Sequence, residues 1–282
     1  MKQSAVKLFV RAFMKSFFLV IILSSVGVLS YWSVMHFWDI PEAVSQKKEI
    51  IIKNEKKPIT EAIIEDISKN LIFCYNEETG EITKILLEIF HCEEKKMQYI
   101  TIPVRTQFTM SETFYQRMVL VHPTIPQVIR LSNIHKYFDL DTVYDYGVLI
   151  LEDLLQLKFS YYTAIPQSIY ETIFITEGKT ETTTENRGDL GISFKEVFSE
   201  EYKKFLRSMK TAEELREYIK EIYPSLRSNL SLYGKMNYLD SYCRTPLNKI
   251  TFDIIQGTDK NSAYYIDVEM AKDQINQYIA GN

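Results

Sequence analysis

From Phe17 to Trp38 the chain reads FFLVIILSSVGVLSYWSVMHFW, a run without formal charge. A helix needs about 20 such residues to cross the ~30 Å hydrocarbon core of a bilayer, so this one feature predicts that everything following it sits on one side of a membrane. Lys2, Lys7, Arg11 and Lys15 precede the run without an acid among them. Positive charge on a short flank stays in the cytoplasm, which places the N-terminus inside and the remainder outside. Tyr31, Trp32 and Trp38 suit the outer interface. A cleaved signal peptide has a shorter apolar core, roughly 7 to 15 residues, followed by a small-residue cleavage site. This run is longer and no A-x-A pattern follows it. The expectation is a basic cytoplasmic N-terminus at 1–16, a single transmembrane helix at 17–38, a stalk at 39–69 and an extracytoplasmic α/β domain at 70–282, held at the cell membrane by one pass.

The formal net charge is −4, and without the four leading cations the rest is more acidic still, which argues against a nucleic-acid partner. With only 9 glycines in 282 residues, glycine-built phosphate loops are not expected to organise the fold. The stalk carries Lys47, Lys48, Lys53, Lys56 and Lys57 and leads into an expected helix near Thr60 to Ser68. That basic cluster reads as a solvated surface or a contact with anionic headgroups.

Three apolar runs follow: LIFCY at 71–75, ITKILLEIFH at 82–91 and MQYITIPV at 97–104, separated by NEETGE and CEEKK. Their spacing predicts consecutive strands joined by tight turns. From Leu140 to Leu157 apolar residues recur near a 3.6 period, predicting an amphipathic helix with Asp141 as its N-cap. FSYYTAI at 159–165 reads as a further strand, and Pro166 opens a short helix through Ile173. The Thr- and Glu-rich stretch 176–191 has too little apolar surface to pack and reads as a loop. Ser193 with Glu196, and Thr211 with Glu214, have the capping-box spacing of helix starts. Pro224 ends the second of these helices. NKITFDIIQG and SAYYIDV read as strands, and MAKDQINQYI as a closing helix. Interleaved strands and helices in one chain predict a layered α/β domain, a mixed β-sheet flanked by helices.

The usual catalytic signatures are missing. There is no P-loop, no G-x-G-x-x-G, no H-E-x-x-H, no G-x-S-x-G and no C-x-x-C,. Ser45 to Lys48 match S-x-x-K but lie in the stalk without its companion motifs. His91, Cys92 and Glu93 lack the P-C-x-x-C partner of a zinc deaminase and read as a turn. Cys74, Cys92 and Cys243 are an odd number beyond the membrane, so at most one disulfide can form within a chain. A hairpin around Asn76 to Glu81 would set Cys74 near Thr83 and away from Cys92, which predicts buried thiols.

At KILLEIFHCEEKKMQYITIPVRT (84–106) the sequence resembles the LytR-CpsA-Psr family of cell-envelope proteins, whose pattern reads approximately DTIMLVSINPKTKKVTLVSIPRDT. NLIFCYN (70–76) stands at that family's first strand. VYDYGVLILEDLLQLKFSYYTAI (143–165) is similar to its A-Y-x-x-G helix, L-L-G-I turn and D-Y-Y strand, and SNLSLYGKMNYL (228–239) fits near the C-terminus. The resemblance covers most of the chain after Asn70 and implies the family's layered α/β fold behind a membrane anchor. It also implies a place in bacterial envelope biogenesis, with glycopolymers linked to a polyprenyl (pyro)phosphate carrier as ligands and their transfer to peptidoglycan as the family reaction. That reaction uses Mg²⁺ held by aspartates, with arginines neutralising the pyrophosphate.

Residue by residue, the carry-over fails at the chemistry. The family's metal-binding Asp falls on Thr83, the Arg of I-P-R-D on Val104 and its Asp on Arg105. The family's later arginine-rich region meets only Arg187. Glu77, near the first-strand Asp, is the one acid that could serve a metal. A guanidinium in place of a carboxylate reverses the local charge, so no metal is expected at Arg105 and no cofactor is expected unless the active alternative holds. Arg105, with Arg130, Arg117 and Arg187, could instead grip phosphate directly.

Three readings follow. The first is a degenerate, non-catalytic member that binds or scaffolds around lipid-linked glycopolymer. The second is an active phosphotransferase using Glu77 and Asp139, Asp141 or Asp145 for Mg²⁺. The third is a protein-protein interaction domain of the envelope with no ligand pocket. An apolar cavity under the sheet with Arg105 at its mouth would favour ligand binding; a filled core would favour the third.

Overall fold

Three apolar runs separated by polar turns can satisfy their backbone by pairing edge to edge, and they do. In the computed structural model β1 (Ile67–Tyr75), β2 (Ile82–His91) and β3 (Lys96–Ile102) form an antiparallel meander. Leu71 stands opposite Leu87, and Leu87 opposite Ile100. In the first turn Gly80 takes a φ of +71°, a conformation glycine adopts at low cost,. The Asn76 side chain accepts from the Glu78 and Thr79 amides at 2.9 Å each, the local bonding that makes Asn a turn former.

The structure describes residues 59–177, 194–209 and 211–280, all in one compact unit. The expected anchor at 17–38, the stalk up to 58, Ser193 and Arg187 lie outside the described residues. Among the described residues no helix is long and apolar enough to cross a membrane.

Beyond the meander come β4 (Gln107–Thr109), α1 (Glu112–Val121), β5 (Val128–Arg130), α2 (Val143–Leu155), β6 (Tyr161–Pro166), α3 (Gln167–Ile173) and β7 (Phe174–Thr176). Next are β8 (Glu196–Phe198), α4 (Glu200–Ser208), α5 (Ala212–Ile222), β9 (Arg227–Ser228), α6 (Leu232–Met236) and α7 (Leu239–Cys243). The chain closes with β10 (Ile250–Ile254), β11 (Gly257–Lys260), β12 (Ala263–Ile266) and α8 (Val268–Ile279). The central sheet has the order β10-β3-β2-β1-β6-β9. β10 runs parallel to β3 and β6 parallel to β1, so the sheet is mixed.

Both faces of the sheet are covered, which is why its strands read as continuous apolar runs instead of alternating ones. On one face Leu71, Phe73, Leu87 and Ile100 pack with Val148 and Ile275, from α2 and α8. On the other Ile72, Leu86 and Tyr99 pack with Tyr170 of α3, Phe198 of β8 and Tyr238. Gly147 sets the approach of α2: a Cβ there would lie 3.1 Å from Phe73 Cζ on β1. The layered α/β expectation is met.

Several local expectations are not. Residues 59–66 form no helix; they run as an irregular strap. The Thr60 amide and hydroxyl donate to Asp145 Oδ1 at 2.9 and 2.5 Å, and the Ile63 amide donates to the Ser160 carbonyl at 2.7 Å. These tertiary bonds outweigh the weak helical pattern of an isolated short segment. Asp141 does not cap α2. The N-cap is Thr142, without a side-chain bond, and Asp141 faces Arg227 at 3.7 Å. Glu196, expected to complete a capping box with Ser193, lies in a strand, and the helix starts after it with Ser199 accepting from the Tyr202 amide at 3.1 Å. The Thr211 and Glu214 box is present, with both bonds at 3.2 Å.

Candidate functional site

The meander brings the ends of β2 and β3 together, and the segment after β3 turns past the start of β2. Thr83, Val104 and Arg105, the three positions onto which the family's chemistry maps, line one pocket of about 210 Å³. Its other wall comes from Thr176 of β7, Glu196 of β8 and Phe194 just ahead of β8. The Thr83 hydroxyl turns inward and donates to Cys74 Sγ at 3.1 Å. Val104 offers no polar atom. The Arg105 guanidinium is paired with Asp259 of β11. Lys84, which the sequence reading passed over, supplies a cation here: its ammonium donates to Glu196 Oε1 at 2.6 Å and Thr176 Oγ1 at 2.8 Å. Glu196 is buried and also accepts from the Thr176 hydroxyl at 2.8 Å.

A divalent cation bound in the family manner does not fit this pocket. Among the described residues its one buried carboxylate, Glu196, is committed to Lys84, and a guanidinium, that of Arg105, stands where the resemblance puts a metal-ligating acid. Among the described residues no three His, Cys, Asp or Glu side chains converge to hold a metal. Glu77 accepts from the Ser168 hydroxyl and from the Ser168 amide at 3.2 Å, serving the start of α3; the hydroxyl bond is the main reason its carboxyl is held below the usual range. Asp145 is spent on Thr60, and Asp139 accepts the Thr142 amide through its backbone carbonyl at 2.9 Å.

The arginines are dispersed. Arg117 lines a separate groove between α1 and α2 with Tyr146 and Ile59, its guanidinium 5.5 Å from the Phe114 ring centre. Arg130 donates to Gln107 Oε1 at 3.5 Å across the β4 and β5 pair.

A second cavity, of about 250 Å³, lies on the sheet face covered by α4 and α5. Ile72, Met97, Phe174, Phe198, Leu206 and Ile219 make its apolar walls. Arg105 does not line it, so the cavity is present without the arginine at its mouth that would have favoured ligand binding. Polar groups meet instead on its sheet side. Asn70, Glu88 and Tyr99 sit side by side on β1, β2 and β3. Glu88, buried, accepts from Tyr99 Oη at 2.8 Å, Tyr242 Oη at 3.1 Å and Asn70 Nδ2 at 3.4 Å. Lys235 of α6 donates to Tyr242 Oη at 2.7 Å and Tyr161 Oη at 3.0 Å, and lies 4.0 Å from Glu88 Oε1. Both tyrosine rings present their faces to the ammonium, at 4.6 and 5.1 Å, an attraction of the ring quadrupole for a cation. Burial holds the Lys235 pKa below its ordinary value, with Glu88 opposing. Burial likewise pushes the Tyr161 and Tyr242 hydroxyls well up, so they remain neutral donors and acceptors. The signal for this cluster was present in the sequence: Glu88 is the one acid inside the apolar run of β2.

No family model matches the sequence, and no curated protein matches it. Solved structures do. B. subtilis TagV is similar with a TM-score of 0.50 at 12% identity, over 76% of this chain and 97% of that one. B. subtilis TagT, a LytR-CPS2A-psr family protein (YwtF) with bound octaprenyl pyrophosphate lipid, gives a TM-score of 0.44 at 16% identity, over 78% of this chain and 92% of that one. At such identities what is shared is the architecture, and the described domain has the fold of the LytR-CpsA-Psr proteins.

Proposed function

We propose that the protein is a membrane-anchored, extracytoplasmic LytR-CpsA-Psr-like protein of the bacterial envelope that binds a lipid-linked glycopolymer and does not transfer it. The observation that supports the reading is the pairing of an apolar cavity against the sheet with a neighbouring pocket lined by Thr83, Val104 and Arg105, the positions onto which the resemblance maps the family's chemistry. The cavity offers a hydrocarbon chain a place out of water, worth about 25 cal/mol for each Å² of apolar surface buried. Arg105 and Lys84 give the pocket two cations that a phosphate could bridge, Arg105 by exchanging Asp259 for it and Lys84 while keeping its bond to Glu196,. A domain that served only as a protein-binding surface would be expected to fill this space with side chains.

The test is direct. The full-length chain in lipid nanodiscs is titrated with geranylgeranyl pyrophosphate, and phosphate release is followed with and without Mg²⁺. Saturable binding without release supports the proposal. Mg²⁺-dependent release would restore the phosphotransferase reading, and absence of binding would favour the protein-interaction reading. The anchor is tested separately by a reporter enzyme fused after residue 282, active only outside the cytoplasm if the expected topology holds.

A further inference from the structure

On the face of the sheet opposite the apolar cavity, α1 packs through Phe114 and Met118, while its last turn and the loop to β5 leave apolar side chains in water. Leu120 is 85% exposed, more than any other large apolar side chain among the described residues, and Val121 and Val128 are 57% and 49% exposed. From Met118 to Ile129 the chain holds no acid, lysine or arginine. Single exposed apolar residues are ordinary, but several gathered at one tip mark a surface that meets a partner.

Three features choose the partner. The first is the backbone: unbonded donors make a loop costly to bring into lipid. Pro123 and Pro126 are exposed and have no N–H, and the His122 and Ile125 amides donate to the carbonyls of Met118 and His122 at 2.8 and 3.1 Å. The second is charge. Arg117 stands one turn before Leu120 and Val121 on the same helix face, and Arg130 shares the strand face of Val128, so cations border the apolar tip where headgroup phosphates would lie. The nearby acids are turned to internal bonds: Asp153 accepts from the Ser111 amide and hydroxyl at 2.9 and 2.5 Å, and Glu152 accepts from the Phe159 amide at 3.2 Å and pairs with Lys158. The third is continuity. Val121 and Arg117 share a groove with Ile59, where the chain enters the described domain, and residues 39–58 lead back from there to the expected anchor. A tether makes docking intramolecular, so contacts too weak to hold a free protein suffice.

We propose that residues 120–128 dock the domain on an anionic lipid bilayer, with Leu120, Val121 and Val128 entering the interface and Arg117 and Arg130 reaching headgroup phosphates. This rests on the reading of the chain as membrane-anchored and goes beyond it: an anchor alone does not decide which side of the domain faces the lipid, and the tip does.

In the full-length chain the photoreactive amino acid p-benzoylphenylalanine replaces Leu120 or, as the control, Tyr233 of α6, which is 65% exposed. Both side chains face solvent, so neither replacement disturbs the packing. The two proteins are placed in nanodiscs of phosphatidylcholine with or without phosphatidylglycerol and irradiated, and lipid adducts are measured by mass spectrometry. Capture at position 120 is expected to exceed that at 233 by about ten-fold or more, the scale of withdrawing one aliphatic side chain from water. It should rise about five-fold with phosphatidylglycerol, the scale of one arginine at an anionic surface. Arg117→Gln combined with Arg130→Gln should abolish that rise. Equal capture at the two positions, or none at 120 in a chain that the nanodiscs retain, overturns the proposal while the anchor stands. Cross-linked dimers in place of lipid adducts assign the tip to a second copy and overturn it too. Capture indifferent to phosphatidylglycerol, or a rise that survives loss of both arginines, overturns their part in it. A chain that the nanodiscs do not retain has no anchor, and the proposal falls with that reading.

Discussion

Lys84 on β2 and Glu196 on β8, 112 positions apart in sequence, meet at 2.6 Å in the pocket bounded by Thr83, Val104 and Arg105. The lysine side chain keeps 35% of its exposure and the glutamate only 2%. The pair is therefore asymmetric: removing the lysine strands a buried acid, whereas removing the acid leaves a cation that can reach water.

Lys84→Met is expected to destabilise the protein by about 2 kcal/mol, below the ~3–5 kcal/mol of a fully buried pair because one partner is partly solvated. Adding Glu196→Gln should recover part of that loss. Urea unfolding of the two single variants and the double variant gives the coupling, expected at about 1 kcal/mol or more. Strict additivity would show that the two side chains contribute independently.

Arg105 is expected to contribute to phosphate binding. With geranylgeranyl pyrophosphate as ligand, Arg105→Ala should weaken binding about ten-fold, the loss of one charge-assisted contact. Glu77→Ala should leave it unchanged, since Glu77 is occupied with Ser168. An unchanged affinity in Arg105→Ala would remove that residue from the site.

Gly147→Ala tests the contact between α2 and the sheet. Alanine favours a helix over glycine by about 1 kcal/mol, yet its Cβ would stand 3.1 Å from Phe73 Cζ. Overpacking of this kind costs ~1–3 kcal/mol, so a net loss is expected. Gly147→Ala combined with Phe73→Leu should relieve it. A rise in melting temperature for the single variant would show that Phe73 yields freely.

Cys74 predicts an alkaline dependence. Burial pushes its thiol from 9.0 up to about 11. The folded state then holds a proton that the unfolded chain gives up, so the contribution to stability is complete below pH 9 and is lost as the pH rises through the folded value. In urea unfolding, wild type should lose stability faster than Cys74→Ala between pH 9 and 11. Parallel curves would show that the thiol does not titrate differently on folding.

Much of the architecture was legible because its cause is local or periodic. The runs at 71–75, 82–91 and 97–104 could satisfy their backbones only by pairing, and the hairpin geometry that put Cys74 near Thr83 emerges as a hydrogen bond from the Thr83 hydroxyl to Cys74 Sγ. The Thr211 box was legible because both its bonds lie within one turn. What escaped depends on distant partners. Nothing near residue 60 announces that Asp145 will hold it out of a helix, and the capping-box spacing at 193–196 lost to the pairing of Glu196 with Thr176 across β7 and β8. The candidate site was half visible. The places of Thr83, Val104 and Arg105 followed from the resemblance, but the meeting of Lys84 with Glu196, and of Lys235 with Glu88, joins residues more than a hundred positions apart.

The strap at 59–66 has a mechanical consequence. Thr60 is bonded to Asp145 on α2 and to Asn229 after β9, Ile63 to Ser160 before β6, and the Glu65 amide to the Tyr238 hydroxyl at 3.0 Å. A load entering at residue 59 is divided among these supports before it reaches β1 at Ile67. The central strand is thereby insulated from tension on its own N-terminal side, and Tyr238, which packs edge-on against Tyr242, links the last support to the aromatic wall around Lys235.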